Sequence, residues 1–265
     1  GYSDAYNYLG LTYYNNGDYA NAIEYYNKAL EIDPNYLLGY YNLGIAYYDL
    51  KEMDKAREKF YKTTEIDIDY TEAYNYLGII YYNEGDYANA IEYYNRAVEI
   101  DSNYKLGYYN LGIAYYESEQ LDNAIENFRK AAEIDLSYTD AYNYLGIIYY
   151  AKGDQSKAIE YYNKVVEIDP NYKLAYYNLG LVYTDLGETE KALLNYNQTI
   201  KLDSNYVNAY DKAGTIYYQL KDYESGIKIY NKYIQFYPTD SYGYQMRGLN
   251  HLYKGDFENA IIDLN

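Results

Sequence analysis

The chain has 265 residues, 50 of them tyrosine, with a single histidine and neither cysteine nor tryptophan. Its formal net charge of -18, from 40 acidic and 22 basic side chains, repels phosphate backbones and argues against nucleic acid as a partner. Without cysteine the chain has no disulfide or thiolate site, and no apolar run is long enough to span a membrane.

From the N-terminus onward, one pattern returns every 34 residues. The string Tyr-Asn-Tyr-Leu-Gly begins at Tyr6, Tyr74 and Tyr142, and Tyr-Tyr-Asn-Leu-Gly begins at Tyr40, Tyr108 and Tyr176. This interval predicts that residues 1–265 form a single array of repeats. The predicted repeats are 3–36, 37–70, 71–104, 105–138, 139–172, 173–206, 207–240 and a partial 241–265.

Each repeat begins with a predicted helix whose recurring side chains share one face. Counted from the first residue of a repeat, position 4 is always Tyr, position 8 is always Gly, position 7 is usually Leu and position 11 usually Tyr. Offsets of three and four place these positions together on a helix. A glycine inside a helix costs about 1 kcal/mol relative to alanine. We therefore expect close helix packing, with the small residue at position 20 receiving a large ring from position 4 or 24.

A turn and a second helix follow in each repeat. Gly17 and Asp18, like the pairs at 85–86 and 153–154, predict the end of one helix and the cap of the next. Position 20 is Ala except at Gly226, and position 24 is aromatic from Tyr26 to Tyr230. The three prolines, at residues 34, 170 and 238, all occupy position 32, where they end the second helix.

With these residues the chain resembles the tetratricopeptide repeat family over essentially its whole length. The resemblance implies an all-α fold, a right-handed superhelical solenoid of antiparallel helix hairpins, and a protein–protein interaction scaffold. Repeat eight departs from the pattern, with Arg247 at position 7 and His251 at position 11, which indicates an end repeat or an interface.

Successive repeats also alternate. Repeat three matches repeat one at 26 of 34 positions, whereas repeat two matches repeat one at only 12. The natural unit is therefore a pair of repeats, and any ligand surface is expected to alternate with this doubled period.

The resemblance further implies a peptide-binding groove on the concave face, at positions 2, 5, 6, 9, 12 and 13 of the first helices. The candidate groove residues are Asn7, Asn42, Asn75, Asn110, Asn143, Asn178, Tyr41, Tyr48, Tyr76, Tyr82, Tyr109, Tyr116, Tyr144, Tyr150, Asp49, Glu72, Glu117 and Asp140. A row of carboxamides can hold an extended main chain, because each both donates and accepts. The alternatives are that the asparagines are ordinary exposed residues and that some of the rings pack between repeats.

The expected partner is a protein or peptide that is neutral or basic. In repeats one to six the groove positions carry six carboxylates and no Lys or Arg. Two alternatives stay open. One is a self-assembling scaffold that forms homo-oligomers through its terminal repeats, and the other is a regulatory domain of an enzyme whose catalytic part lies elsewhere.

The sequence offers little for catalysis. His251 is the only histidine, and no phosphate loop or calcium-binding spacing is present, so we expect no enzymatic activity, no cofactor and no metal. The compartment stays open, with the cytoplasm favoured.

Overall fold

The computed structural model describes all 265 residues and contains sixteen α-helices and no strand. The helices are α1 Tyr2–Asn15, α2 Tyr19–Ile32, α3 Leu37–Asp49, α4 Met53–Ile66, α5 Thr71–Asn83, α6 Tyr87–Ile100, α7 Lys105–Glu117, α8 Leu121–Ile134, α9 Thr139–Ala151, α10 Gln155–Ile168, α11 Lys173–Asp185, α12 Thr189–Leu202, α13 Val207–Gln219, α14 Tyr223–Phe236, α15 Ser241–Lys254 and α16 Phe257–Leu264. Each predicted repeat holds one pair of helices, which confirms the all-α fold of helical hairpins.

The helices group into two compact units, Gly1–Leu136 with α1 to α8 and Ser137–Asn265 with α9 to α16. Within each unit a helix packs mainly on its neighbours in the chain, as expected when every repeat stacks on the next. The boundary between the units falls in the loop before α9. That residues 1–265 form a single array stays a prediction.

The Gly-Asp turns have the predicted geometry. Gly17, Gly85 and Gly153 have φ of 76°, 78° and 77°, the left-handed conformation that ends a helix and favours glycine. The following aspartate caps the next helix. Asp18 accepts a hydrogen bond from the backbone N–H of Asn21 at 3.2 Å, and the caps at 86 and 154 do the same at 3.1 Å.

Three repeats make the same turn without glycine. Lys51, Glu119 and Lys221 occupy the equivalent position with φ of 64°, 61° and 61°. No residue type in the sequence marks these turns, so the left-handed backbone there was not predicted. The helices that follow them in repeats two and four have Glu52 and Gln120 as their N-cap residues, and neither side chain makes a capping hydrogen bond.

The recurring glycine at position 8 lies beneath the ring from position 24. A Cβ atom added at Gly10 would lie 2.5 Å from the Tyr26 ring, and one added at Gly44 would lie 2.6 Å from the Phe60 ring. The same contact recurs in every complete repeat. The ring from position 24 therefore rests on the glycine at position 8, whereas the small residue at position 20 was expected to receive it.

Polar side chains replace core residues in repeat eight. Arg247 stands where repeats one to six have Leu. Its Nε donates to Asp263 at 2.7 Å, and its Nη1 donates to Asn231 at 2.7 Å. Asn250 is fully buried, and a Cβ on Gly226 would lie 2.2 Å from its Oδ1. Position 20 is therefore Gly226 in repeat seven and not alanine, because the Asn250 side chain occupies the space that the alanine Cβ would need.

Candidate functional site

The six predicted groove asparagines form three hydrogen-bonded pairs. Asn42 Nδ2 donates to Asn7 Oδ1 at 2.8 Å, and Asn110 Nδ2 donates to Asn75 Oδ1 at 2.9 Å. Asn178 donates to Asn143 in the same way at 3.4 Å. Each bond joins the two repeats of one 68-residue unit, and the odd-numbered repeat always supplies the acceptor.

The pairing follows from the alternating order of Asn and Tyr. Asparagine occupies position 5 in odd repeats and position 6 in even ones. Successive side chains on a helix point about 100° apart, so the asparagines of odd and even repeats lie on different sides of their helices. The two carboxamides consequently meet between adjacent first helices.

The sequence predicted a row of carboxamides but not that they bond to each other in pairs. Asn7, Asn75 and Asn143 are buried, whereas Asn42, Asn110 and Asn178 are half-buried. Each pair makes one bond within the protein. The Oδ1 of the half-buried member and the Nδ2 of the buried member have no hydrogen-bond partner in the protein. Every pair thus keeps one acceptor and one donor that make no bond within the protein.

Tyrosines at position 12 reach the carboxylate at position 13 of the following repeat. The Tyr14 hydroxyl donates to Asp49, and the Tyr150 hydroxyl donates to Asp185 at 2.6 Å. Burial raises the pKa of Tyr150 to about 12, and the hydrogen bond to Asp185 is the second-largest cause. Tyr48 instead accepts from Asn83 Nδ2 at 3.3 Å, because repeat three has Asn at position 13.

The carboxylates at position 2 are held in a related way. The Tyr172 hydroxyl donates to Asp140 at 2.9 Å, and the Tyr36 hydroxyl donates to Asp4 at 2.9 Å. Hydrogen bonds from the N-terminal amine and, to a smaller extent, from the Tyr36 hydroxyl lower the pKa of Asp4. Tyrosine hydroxyls therefore fix these two carboxylates in place.

Glu72 and Glu117 complete the predicted carboxylates of the groove. Both side chains are exposed, and neither makes an ion pair or hydrogen bond within the protein. The acidic edge of the groove consequently combines carboxylates fixed by tyrosines with carboxylates that are open to a partner.

Several predicted groove tyrosines pack between repeats. Tyr76 stacks on Phe60 with ring centroids 4.8 Å apart, and Tyr41 contacts the rings of Tyr70 and Tyr76 at 5.0 and 6.1 Å. Burial raises the pKa of both Tyr41 and Tyr76. These two rings stabilise the contact between repeats two and three, and they offer little open surface.

The other predicted tyrosines lie at equivalent places. Tyr109 meets Phe128 edge-on at 5.8 Å, and Tyr144, like Tyr82 and Tyr116 at position 12, is half-buried. The aliphatic residues at position 9 are also half-buried from Ile45 onward. The stripe that remains accessible therefore consists of aliphatic side chains, position-12 tyrosines, carboxylates and the asparagine pairs.

Tyrosines stacked between the two helices of a repeat were not predicted from the sequence. In repeat three, Tyr93 lies nearly parallel to Tyr81, with centroids 5.3 Å apart and planes 4° apart, and Tyr74 stacks on Tyr93 at 6.5 Å. Repeat five has the same stack, with Tyr161 at 5.5 Å from Tyr149. The available signal was position 23, which is Tyr in repeats one, three and five and not in repeats two, four and six.

No three His, Asp or Glu side chains come together as a metal site. None of the helices has the length and apolar character needed to cross a membrane.

Models of the tetratricopeptide repeat family match most of the chain. The matched residues are 3–36, 25–58, 69–137, 147–187, 180–221 and 207–240. No curated protein matches the sequence.

Solved structures share the fold. The crystal structure of MamA is 31% identical and has a TM-score of 0.58, and the match covers 61% of this chain and 95% of MamA. The C-terminal part of a TPR repeat-containing protein from Cytophaga hutchinsonii is 21% identical, with a TM-score of 0.76 and coverage of 90% and 98%. YrrB, described as a TPR protein with an unusual peptide-binding site, is 24% identical, with a TM-score of 0.60 and coverage of 69% and 95%. The last two likenesses show the fold alone.

Proposed function

The chain belongs to the tetratricopeptide repeat family, and we propose that it is an interaction scaffold that binds an extended segment of a partner protein along the first-helix stripe. The observation that carries this proposal is the set of asparagine pairs. Each pair leaves one carboxamide oxygen and one amide N–H edge without a protein partner, beside half-buried aliphatic and tyrosine side chains.

Such a pair suits a peptide main chain. An extended peptide presents one N–H and one C=O per residue, and each pair supplies the matching acceptor and donor. The bond inside the pair also fixes both carboxamides before the ligand arrives, which lowers the entropy lost on binding. Main-chain recognition would come from the pairs, and side-chain preference from positions 9 and 12.

The charge of the stripe favours a neutral or basic segment. Glu72 and Glu117 are exposed and unpaired, and no Lys or Arg lies at the groove positions of repeats one to six. An acidic segment would place like charges side by side, which costs affinity and slows association.

The groove is tested with peptides selected from a random library on the intact protein. The variant N42A/N110A/N178A removes the half-buried member of each pair. Since each of the three lost hydrogen bonds contributes about 0.5–1.5 kcal/mol, we expect the affinity of the selected peptides to fall by at least about tenfold. The control N123A/N127A/N197A removes three asparagines from the second helices and should bind as the unmodified protein does. Circular dichroism checks that both variants keep their helical content.

Equal affinity of both variants for the selected peptides would show that the asparagine pairs do not contact the peptide.

A second candidate function is self-assembly, since Phe257, Ile261 and Ile262 on α16 are 64%, 61% and 68% exposed. A mass in light scattering that rises with protein concentration, with no peptide enriched by the selection, would favour that function instead.

A further inference from the structure

The second helices of repeats three and five carry matching surface pockets that the proposed groove does not use. In repeat three a pocket of about 410 Å³ is lined by Tyr74, Glu92, Tyr93, Asn95, Arg96 and Glu99. In repeat five a pocket of about 520 Å³ is lined by the residues 68 positions later, Tyr142, Glu160, Tyr161, Asn163, Lys164 and Glu167. The doubled period of the sequence therefore reproduces one arrangement of side chains in each unit.

Stacked tyrosines form the aromatic wall of each pocket. Tyr74 is the outer ring of the stack with Tyr93 and Tyr81, and Tyr142 is the outer ring in repeat five. The face of a tyrosine ring attracts cations. The protein's own Arg96 lies 5.8 Å from the centre of the Tyr74 ring and lines the same pocket, so a ligand would contact the parts of Tyr74 and Tyr93 that border the pocket beside Arg96.

Each pocket combines a neutralised cation with an open carboxylate. Arg96 lies 3.5 Å from Glu99 and 3.8 Å from Asp69, and Lys164 lies 3.6 Å from Glu167. Glu92 and Glu160 are exposed and have no ion-pair partner.

The open groups lie close together on the helix. Asn95 and Asn163 follow Glu92 and Glu160 by three residues, and this spacing puts each carboxylate and carboxamide on one helix face. Neither carboxamide makes a hydrogen bond within the protein. A ligand atom beside the aromatic wall can therefore reach two oxygen acceptors.

We propose that these two pockets each bind an arginine side chain of a basic partner protein. The guanidinium group would donate to the carboxylate of Glu92 or Glu160 and to the carboxamide oxygen of Asn95 or Asn163. It would pack beside the parts of the tyrosine rings that border the pocket, a contact that arginine makes well because its guanidinium is flat and weakly hydrated. The net charge of -18 draws such a partner toward the protein.

The even repeats supply a matched comparison within the same chain. Glu58 and Glu126 occupy the position of Glu92 in repeats two and four, but position 23 there is Lys59 or Asn127, so the stacked ring is missing. In repeat one Lys28 donates to Glu24 at 2.6 Å, so the chain itself already pairs the equivalent carboxylate. The open carboxylate beside a tyrosine stack is thus a feature of repeats three and five.

The test measures binding of an oligo-arginine peptide to the whole chain by calorimetry at physiological salt. E92Q/E160Q should weaken binding about tenfold, because charge-assisted hydrogen bonds are among the strongest polar contacts. E58Q/E126Q changes the net charge equally and should alter the affinity by less than about twofold. Y93N/Y161N, which copies the Asn of repeat four, should weaken binding like E92Q/E160Q with the helical content retained.

Equal weakening by the two glutamate variants would overturn the proposal, since it would mean that the peptide responds only to net charge. Unchanged affinity in E92Q/E160Q would overturn it as well. Because the proposed groove also favours basic peptides, the two glutamate variants are also compared in the N42A/N110A/N178A background. A weaker affinity of E92Q/E160Q than of E58Q/E126Q that persists in this background assigns the binding to the pockets, and loss of that difference would assign it to the groove.

Discussion

A ring resting on a helical glycine joins the two helices of every complete repeat. A glycine in a helix costs about 1 kcal/mol of stability relative to alanine, while burying an aromatic side chain contributes about 1.5–3 kcal/mol. Tyr94, for example, is 2% exposed where it covers Gly78. The balance favours glycine because no Cβ fits beneath the ring.

Gly78→Ala should therefore destabilise the protein, although alanine is the better helix former. The new Cβ would lie 2.5 Å from the Tyr94 ring, and overpacking of this kind costs about 1–3 kcal/mol. Urea unfolding followed by circular dichroism measures the loss. In a Tyr94→Ala background the same substitution should cost much less, and an equal cost in both backgrounds would contradict the contact.

At the scale of single residues, the asparagines were predictable from the sequence, but their pairing was not. Asn75 and Asn110 were recognisable from the alternating Asn-Tyr and Tyr-Asn strings. Whether their carboxamides meet each other or a ligand depends on how adjacent first helices are rotated, and no local pattern encodes that rotation. The ring of Tyr76 illustrates the same limit, because its packing on Phe60 depends on the neighbouring repeat.

At the scale of helices and turns, the sequence predicted the boundaries well. Glycine with φ near 77° and a capping aspartate are local signals, so Gly85 and Asp86 placed the turn between α5 and α6 correctly. The turn at Glu119 has the same backbone without that signal. There the stacking of the repeat imposes a conformation that glutamate disfavours by about 1–2 kcal/mol.

Glu119→Gly should stabilise the protein by about 0.5–1 kcal/mol, since relief of the left-handed backbone exceeds the entropy cost of glycine. Glu119 is exposed, so little side-chain contact is lost. Thermal and urea unfolding measure the gain. The converse change Gly85→Glu should destabilise by a similar amount, and a loss of stability in Glu119→Gly would show that its backbone is unstrained.

Across the whole molecule, tyrosine makes stability sensitive to alkaline pH. Burial raises the pKa of Tyr26, Tyr104 and Tyr196 to about 12, from an ordinary value of 10.0. The folded chain then holds protons that the unfolded chain releases, so the stabilisation is complete below pH 10 and is lost as pH rises toward 12. The same direction applies to many of the 50 tyrosines.

We expect the free energy of unfolding to stay nearly constant from about pH 7 to pH 9 and to fall steeply between about pH 10 and pH 12. Urea unfolding at a series of pH values measures this decline, and tyrosinate absorbance reports the ionisation directly. High salt, which screens the repulsion among the net negative charges, should leave most of the decline in place. If all tyrosines ionised near pH 10 while the helices stayed folded, burial would not be raising their pKa, and this explanation of the decline would be wrong.

The asparagine bonds carry a consequence for how such a chain can change its length during evolution. Each asparagine bond joins an odd repeat to the even repeat after it. The Tyr14 and Tyr150 hydroxyls, in odd repeats, likewise bond carboxylates of the even repeat that follows. Recombination that inserts or deletes 68 residues preserves every one of these partnerships. A 34-residue event would set two repeats of one kind side by side, leaving a buried carboxamide without its donor. Gene duplication should therefore be tolerated in steps of two repeats, so the polar contacts between helices also determine the unit in which the array can grow.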